Sequence, residues 1–132
     1  MKSLRTPLGR ARGLGSAKDG THHWWAQRVT ALALIPLMIW LVFNIVAHVG
    51  APQLAVAQWM GHPINAALLA ALVVALFHHA QLGLQVVIED YVHCEALKVA
   101  GLLAMKGLCW LLAAIAVLSI FRISVLIVFF KG

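Results

Sequence analysis

Two adjacent histidines lie in a stretch of the chain that is otherwise almost entirely apolar. His78 and His79 stand within residues 64–88, which contain no Lys, Arg, Asp or Glu. Polar side chains in such a stretch are costly to bury in a membrane, so they are the first candidates for function. An imidazole nitrogen can bind a metal ion such as iron, or it can hydrogen-bond to a neighbouring helix. The residue types alone leave both roles open.

The spacing around His79 suits a flat ligand on one helical face, and it equally fits two histidines that only pack by hydrogen bonds to a neighbouring helix. Gly83 follows one turn after His79 and offers a position without a side chain, where a planar group such as a porphyrin can approach the backbone. Asp90 follows His79 by eleven residues, which is about 20° from a whole number of turns, so these two also share a face. Tyr91 stands next to Asp90, where the apolar stretch ends. His78 points about 100° away from His79, so a given ligand can meet only one of the two histidines.

The composition shows what kind of chain carries these residues. Of the 132 residues, 63% are hydrophobic and 11% are charged, and the mean hydropathy is +0.93. Ordinary soluble domains are about 45–50% apolar and about 25% charged, so a soluble globular enzyme is excluded. Disorder is excluded as well, because low hydrophobicity is its signature. Cys94 and Cys109 form no CxxC pair, so the sequence supports neither a disulfide framework nor a zinc site.

Three apolar stretches are each long enough to cross a membrane, at about 20 residues per crossing. They cover about residues 29–49, 64–88 and 107–130 and make up a membrane domain of residues 29–130. The segment 50–63 has no Lys, Arg, Asp or Glu and fits a short outer loop. Within it, residues 53–60 are expected to form one interfacial turn of helix, with Trp59 at the headgroup level. We therefore predict an all-α membrane protein with three transmembrane helices.

Positive charge is concentrated ahead of the first span. Six of the ten Lys and Arg lie in a basic arm, residues 1–28, and none occurs in residues 29–97. A net charge of +6 can attract nucleic acid, but positive residues beside a first span are typical of a cytoplasmic N-terminus. We expect no nucleic-acid partner. The next apolar stretch is longer than the core of a secretory signal peptide, which indicates a span that is retained.

No histidine on another span lies at the depth of His79. The others lie toward the two predicted membrane surfaces: His22, His23, His48, His62 and His93. A haem held by two histidines would therefore need its second ligand from a partner chain. Three spans also make a thin bundle, so the sequence predicts one part of a hetero-oligomeric helical bundle surrounded by membrane lipid.

Two patterns in the first two spans point to a known family. One is His79-Ala80-Gln81-Leu82-Gly83 followed by Asp90-Tyr91; the other is residues 20–31, where His22 stands six positions ahead of Arg28. Together they resemble the hydrophobic membrane anchor (D-type) subunit of succinate dehydrogenase, respiratory complex II. Residues 16–31 are particularly like the alphaproteobacterial members. The resemblance covers residues 15 to about 106 and includes the layout of three helices with the N-terminus inside.

The resemblance implies roles for individual residues. His79 would be one axial ligand of haem b, shared with the cytochrome b (C-type) anchor subunit. Arg28 and His22 would face the haem propionates, since a guanidinium pairs well with a carboxylate. Tyr91 would donate a hydrogen bond to a carbonyl of ubiquinone, with Asp90 tuning the site.

Some of these assignments stay open. His23 stands where some relatives have an acid, so either of the adjacent histidines can be the one that meets a propionate. The end of the second span suits a quinone, whose head needs hydrogen-bond donors at the polar boundary while its tail stays in hydrocarbon. Tyr91 also fits an ordinary interfacial tyrosine.

The same resemblance implies a place in the cell. The chain would dock the flavoprotein and iron–sulfur subunits of succinate dehydrogenase (quinone) to the bacterial inner (cytoplasmic) membrane, joining the tricarboxylic acid cycle to respiratory electron transport. It would carry no catalytic residue of its own. One alternative is a haem-free, quinone-binding or purely structural anchor, such as that of a fumarate reductase, in which His79 only packs. Another is a small helical membrane protein such as a transporter component.

Overall fold

A computed structural model describes residues 6–11 and 18–130 as five helices and their connections. The helices are α1 (Pro7–Ala11), α2 (Lys18–Ala47), α3 (Gln53–Gly61), α4 (Pro63–Tyr91) and α5 (Glu95–Phe130). Three of them contain stretches long and apolar enough to cross a membrane: Gly20–Ala47, Pro63–Tyr91 and Glu95–Phe130. The prediction of an all-helical chain with three helices able to span a membrane is confirmed.

The helices extend beyond the apolar stretches. α2 begins at Lys18, so the last part of the basic arm is helical, while residues 1–5 and 12–17 of that arm lie outside the described residues. α5 begins at Glu95, well before residue 107, and only residues 92–94 connect it to α4. Its 36 residues span about 54 Å, against about 30 Å for the hydrocarbon core of a bilayer. The apolar run marks where a chain crosses hydrocarbon, whereas a helix ends only where its caps or breakers stop it.

The three long helices lie side by side, with α4 in the middle. α4 packs against both α2 and α5, while the described residues of α2 make no close backbone approach to α5. The start of α2 lies beside the end of α4, at Gly20 and Glu89, and the start of α4 lies beside the second half of α5, at Ala67 and Phe121. Both neighbouring pairs are therefore antiparallel. One end of the structure carries Tyr91, and we call it the Tyr91 end; the other carries α3.

The interior of the described chain is small. The buried side chains come from α4 and α5 only: Leu69, Leu72, Gln81, Leu82, Cys109, Ala113 and Ile120. Along α2, large apolar side chains such as Leu32, Val42 and Phe43 are exposed. Because α4 is the only long helix packed against the described part of α2, most of the apolar surface of α2 is left for lipid or for other chains.

Helix α3 is longer and more firmly held than the one interfacial turn expected from the sequence. Its 9 residues make about 2.5 turns, and it follows Gly50, whose φ of +78° is a conformation that glycine adopts without strain. The Trp59 ring stacks on the Trp40 ring with 5.8 Å between ring centroids. The His48 ring centroid lies 5.1 Å from that of Trp59. These ring contacts tie α3 to the end of α2, so Trp59 does more than face the headgroups.

The contact between α3 and α5 depends on a glycine. The Ser124 hydroxyl donates a hydrogen bond of 2.9 Å to the carbonyl oxygen of Gly61. A Cβ atom added to Gly61 would lie 2.7 Å from both Cβ and Cγ1 of Ile127. These atoms are close to the α5 backbone, so they cannot simply swing away.

We expect Gly61→Ala to destabilise the chain, because overfilling a close contact typically costs about 1–3 kcal/mol. Gly101→Ala is the matched control, since its added Cβ would meet only Cγ2 of Ile88 at an ordinary 3.8 Å. The measurement is the thermal stability of the detergent-solubilised assembly that contains this chain. Equal stability of the two variants would show that α3 does not depend on this approach to α5.

Candidate haem and quinone site

His79 is held on the side of α4 that faces α2. Its Nδ1 lies 3.0 Å from the hydroxyl oxygen of Thr30, within hydrogen-bond distance. The same hydroxyl lies 2.8 Å from the carbonyl oxygen of Ala26 and 3.1 Å from that of Gln27. The sequence reasoning did not single out Thr30, because a threonine near the entry of a helix ordinarily bonds only to its own backbone.

The other nitrogen of His79 is available to a ligand. Among the described residues, Nε2 of His79 makes no hydrogen bond. A Cβ atom added to Gly83, one turn along α4, would meet no atom within 4 Å. An imidazole nitrogen beside an open stretch of helix suits a planar group that carries iron, such as a haem, approaching from outside this chain. The donor chemistry of these residues thus fits one side of a haem site.

His78 faces α5, the other long helix packed against α4. Its ring centroid lies 6.3 Å from that of Trp110 on α5, and its Nδ1 is buried without a hydrogen-bond partner among the described residues. It lines a small enclosed space together with Gln81 and Cys109. The two histidines therefore point to different helices, as their 100° separation predicts.

His23, rather than His22, lies at the interface between α2 and α4. It precedes Thr30 by seven residues, about 20° from two full turns, and so lies on the same face of α2. With Gln85 and Glu89 it lines a cleft of about 290 Å³ near the Tyr91 end. Its Nε2 is buried and has no hydrogen-bond partner among the described residues. His22, the histidine preferred from the sequence, is exposed.

Arg28 lies on a different side of α2 from Thr30. The two residues are about 200° apart around the helix. The Arg28 guanidinium carbon lies 5.4 Å from the ring centroid of Trp24, an arrangement in which the ring face attracts the cation. With Gln27 and Ala31, these two side chains border a shallow pocket of about 260 Å³. Arg28 is therefore open to a ligand or a partner chain on the side of α2 away from α4.

Asp90 and Tyr91 end α4. Tyr91 is 77% exposed, and neither side chain makes a hydrogen bond with the described residues. Tyr91 lies about 18 Å along the helix from His79. The phenol is thus free to bond to a ligand or to another chain.

The fold and these sites define a class. The chain is a small multi-pass membrane protein whose long helices expose much of their apolar surface. It belongs to the family described as succinate dehydrogenase/fumarate reductase transmembrane subunit, whose family model matches residues 2–129.

Individual relatives agree with this assignment. The chain is 37% identical over 103 residues to the succinate dehydrogenase hydrophobic membrane anchor subunit of Rickettsia bellii, covering 78% of this chain and 82% of the relative. It is 32% identical over 119 residues to that of Rickettsia conorii, covering 89% and 94%. It is 31% identical over 119 residues to that of Paracoccus denitrificans, covering 90% and 92%. No solved structure matches significantly. The resemblance expected from the two sequence patterns is confirmed.

Proposed function

We propose that this chain is the membrane anchor of a succinate:ubiquinone oxidoreductase, in which His79 binds haem b and Tyr91 forms part of the ubiquinone site. The relatives named as succinate dehydrogenase anchors support the enzyme class. The observation that carries the site is His79, which is held at Nδ1 by Thr30 and leaves Nε2 free beside the open surface at Gly83.

A bound haem b supplies a one-electron carrier within the membrane. In this chain, Nε2 of His79 would hold the haem iron. Among the described residues, the one side chain hydrogen-bonded to His79 is that of Thr30 on α2, and threonine is not a haem ligand. The second histidine is therefore proposed to come from a partner, the cytochrome b (C-type) anchor subunit.

Two groups of this chain are proposed to face the haem propionates. One is Arg28, whose guanidinium can pair with a carboxylate. It lies on the side of α2 away from α4, so the family resemblance and not the geometry supports this role. The other is a histidine at the start of α2, and the geometry favours His23 over His22. His23 shares the face of α2 that carries Thr30, and its buried Nε2 has no partner among the described residues.

Charge supports an orientation in which the Tyr91 end is cytoplasmic. Arg28, Lys98 and Lys106 belong to the half of the structure nearer that end, and Arg122 is the only described Lys or Arg in the other half. Cytoplasmic segments of membrane proteins are enriched in Lys and Arg. We propose that the iron–sulfur and flavoprotein subunits dock at the Tyr91 end, on the cytoplasmic side of the bacterial inner membrane.

Tyr91 and Asp90 are proposed to serve the quinone at this end. The exposed phenol can donate a hydrogen bond to a quinone carbonyl at the membrane boundary while the isoprenoid tail stays in hydrocarbon. Asp90 stands next to it on the same turn. Protons for quinone reduction can come from the adjacent aqueous phase, so this chain needs no proton path across the membrane.

The haem assignment is tested with His79→Gln, in a complex isolated in mild detergent through a tag on this chain. Flavoprotein and iron–sulfur subunits are expected to co-purify, and the substitution is expected to abolish or strongly lower the haem b content per flavoprotein. His78→Gln is the matched control and should retain haem, because its ring faces Trp110.

Two outcomes would contradict the proposal at different points. Absence of the flavoprotein and iron–sulfur subunits would remove the enzyme assignment. Full haem content in His79→Gln would remove His79 from the iron and favour a haem-free anchor such as that of a fumarate reductase.

The propionate assignment is tested by comparing His23→Gln with His22→Gln. His23→Gln should lower haem retention or alter the haem b spectrum, because it changes a buried nitrogen on the α4-facing side of α2. His22→Gln, at an exposed neighbouring position, should have the smaller effect. The reverse order would assign the propionate to His22.

The quinone assignment is tested with Tyr91→Phe, which removes only the phenolic hydroxyl. A hydrogen bond of about 0.5–1.5 kcal/mol corresponds to a rate loss of up to about tenfold. Succinate-dependent ubiquinone reduction should fall by that amount, while succinate oxidation with an artificial acceptor should be unchanged. Equal rates of ubiquinone reduction in the Tyr91→Phe and parent complexes would show that Tyr91 is only an interfacial aromatic residue.

A further inference from the structure

We propose that Thr30 is a positioning residue that fixes His79 in the tautomer with its proton on Nδ1, and so presents the lone pair of Nε2 to iron. This inference rests on the proposed role of His79 as a haem ligand. It adds a residue of α2 to the iron-ligand position that the sequence patterns place on α4, and it explains how a ring on one helix is oriented by the next.

A count of protons supports this assignment. The Thr30 hydroxyl carries one proton and has three partners within reach, of which the nearest is the Ala26 carbonyl oxygen at 2.8 Å. When the hydroxyl donates to that carbonyl, its oxygen can accept a hydrogen bond from Nδ1 of His79 at 3.0 Å. The three groups then form a continuous chain in which the imidazole donates to the hydroxyl and the hydroxyl donates to the helix backbone.

The opposite tautomer is disfavoured at both ring nitrogens of His79. With the proton on Nε2, the hydroxyl would have to donate to Nδ1 and release its bonds to the Ala26 and Gln27 carbonyls. The same proton would occupy the nitrogen that iron needs, because a ligating histidine binds through a deprotonated ring nitrogen. Iron binding at Nε2 and the backbone bond of Thr30 therefore favour the same arrangement.

Thr30 suits this role because its hydroxyl direction is set by its own helix. In a helix, a threonine side chain takes one of few rotamers, and its Oγ1 can bond to the carbonyls three and four residues earlier. Here those carbonyls belong to Gln27 and Ala26. The acceptor is thus in place before the imidazole meets it, and the ring plane of His79 follows from the packing of α2 on α4.

The hydrogen bond also affects the proposed metal centre electronically. A donor bond from the second ring nitrogen raises the basicity of a ligating histidine. A more basic ligand favours ferric over ferrous iron and lowers the midpoint potential of the haem. Loss of this bond should therefore raise the potential of haem b and weaken its retention.

The test compares Thr30→Val and Thr30→Ser in the intact complex. Valine keeps the shape of threonine without the hydroxyl, and serine keeps the hydroxyl without the methyl group. Ser119→Ala is the matched control, because the Ser119 hydroxyl makes a similar 2.8 Å bond to the carbonyl four residues earlier, that of Ile115, but contacts no histidine. The readouts are haem b content per flavoprotein, the midpoint potential by redox titration, and the electron paramagnetic resonance spectrum of the ferric haem.

Thr30→Val is expected to raise the midpoint potential and to weaken haem retention by about 10–100-fold, the range typical of lost outer-shell partners. A tenfold change in relative affinity for the two oxidation states corresponds to about 59 mV in a one-electron couple. Thr30→Ser and Ser119→Ala should resemble the parent complex. Should Thr30→Val assemble poorly, Thr30→Ser and Thr30→Ala give the same comparison, since they differ only in the hydroxyl.

Two results would overturn the inference. One is a Thr30→Val complex with unchanged haem content, potential and spectrum. The other is an equal shift in Thr30→Ser, which would assign the effect to packing rather than to the hydroxyl. If His79→Gln lacks haem, the proposal that His79 binds haem still stands after either result. If His79→Gln retains haem, the proposed haem-binding function itself is refuted.

Discussion

The hydrogen bond between His79 and Thr30 joins the two helices on which the proposed haem site depends. It links α2 to α4 at the depth of His79, and it leaves Nε2 of His79 as the free nitrogen of the ring. The neighbouring His78 is drawn the other way, toward Trp110 on α5. Because α4 lies between its two neighbours, two consecutive histidines can take different tasks: one packs, and the other is offered to a ligand.

The rest of the structure is consistent with a chain that completes its sites only within a larger assembly. Among the described residues few side chains are buried, α2 packs along only one other long helix, and the surface at Gly83 is open. Tyr91 likewise extends from the last turn of α4 without a partner among the described residues. Membership of the succinate dehydrogenase/fumarate reductase transmembrane subunit family accounts for this incompleteness. On the proposed function, a second anchor chain covers the haem and the iron–sulfur subunit meets the quinone end.

The sequence predicted the large features well because they follow from hydropathy and helical periodicity. Three apolar stretches specify three helices able to span a membrane, and a 100° rotation separates His78 from His79 whatever surrounds them. Helix lengths were underestimated, since hydropathy marks the hydrocarbon boundary and not the helix end, as α5 shows by starting at Glu95.

The finer site features depend on how α2 packs against α4, which no local pattern reveals. Thr30 looks like an ordinary helical threonine until its distance to His79 is known. The choice between His22 and His23 turns on one step of helical rotation, and the useful signal was the seven-residue interval from His23 to Thr30. The interval shows that His23 faces α4 only once Thr30 is known to face α4.

The central claim is that this chain supplies one haem ligand through Nε2 of His79, with Nδ1 anchored on α2. An experimental structure of the intact complex, at a resolution that shows side chains, tests it most directly. We expect haem iron bound to Nε2 of His79, Nδ1 within hydrogen-bond distance of the Thr30 hydroxyl, and a second haem ligand supplied by a histidine of the partner anchor. Iron bound to another residue of this chain, or a His79 ring with no haem beside it, would contradict the account.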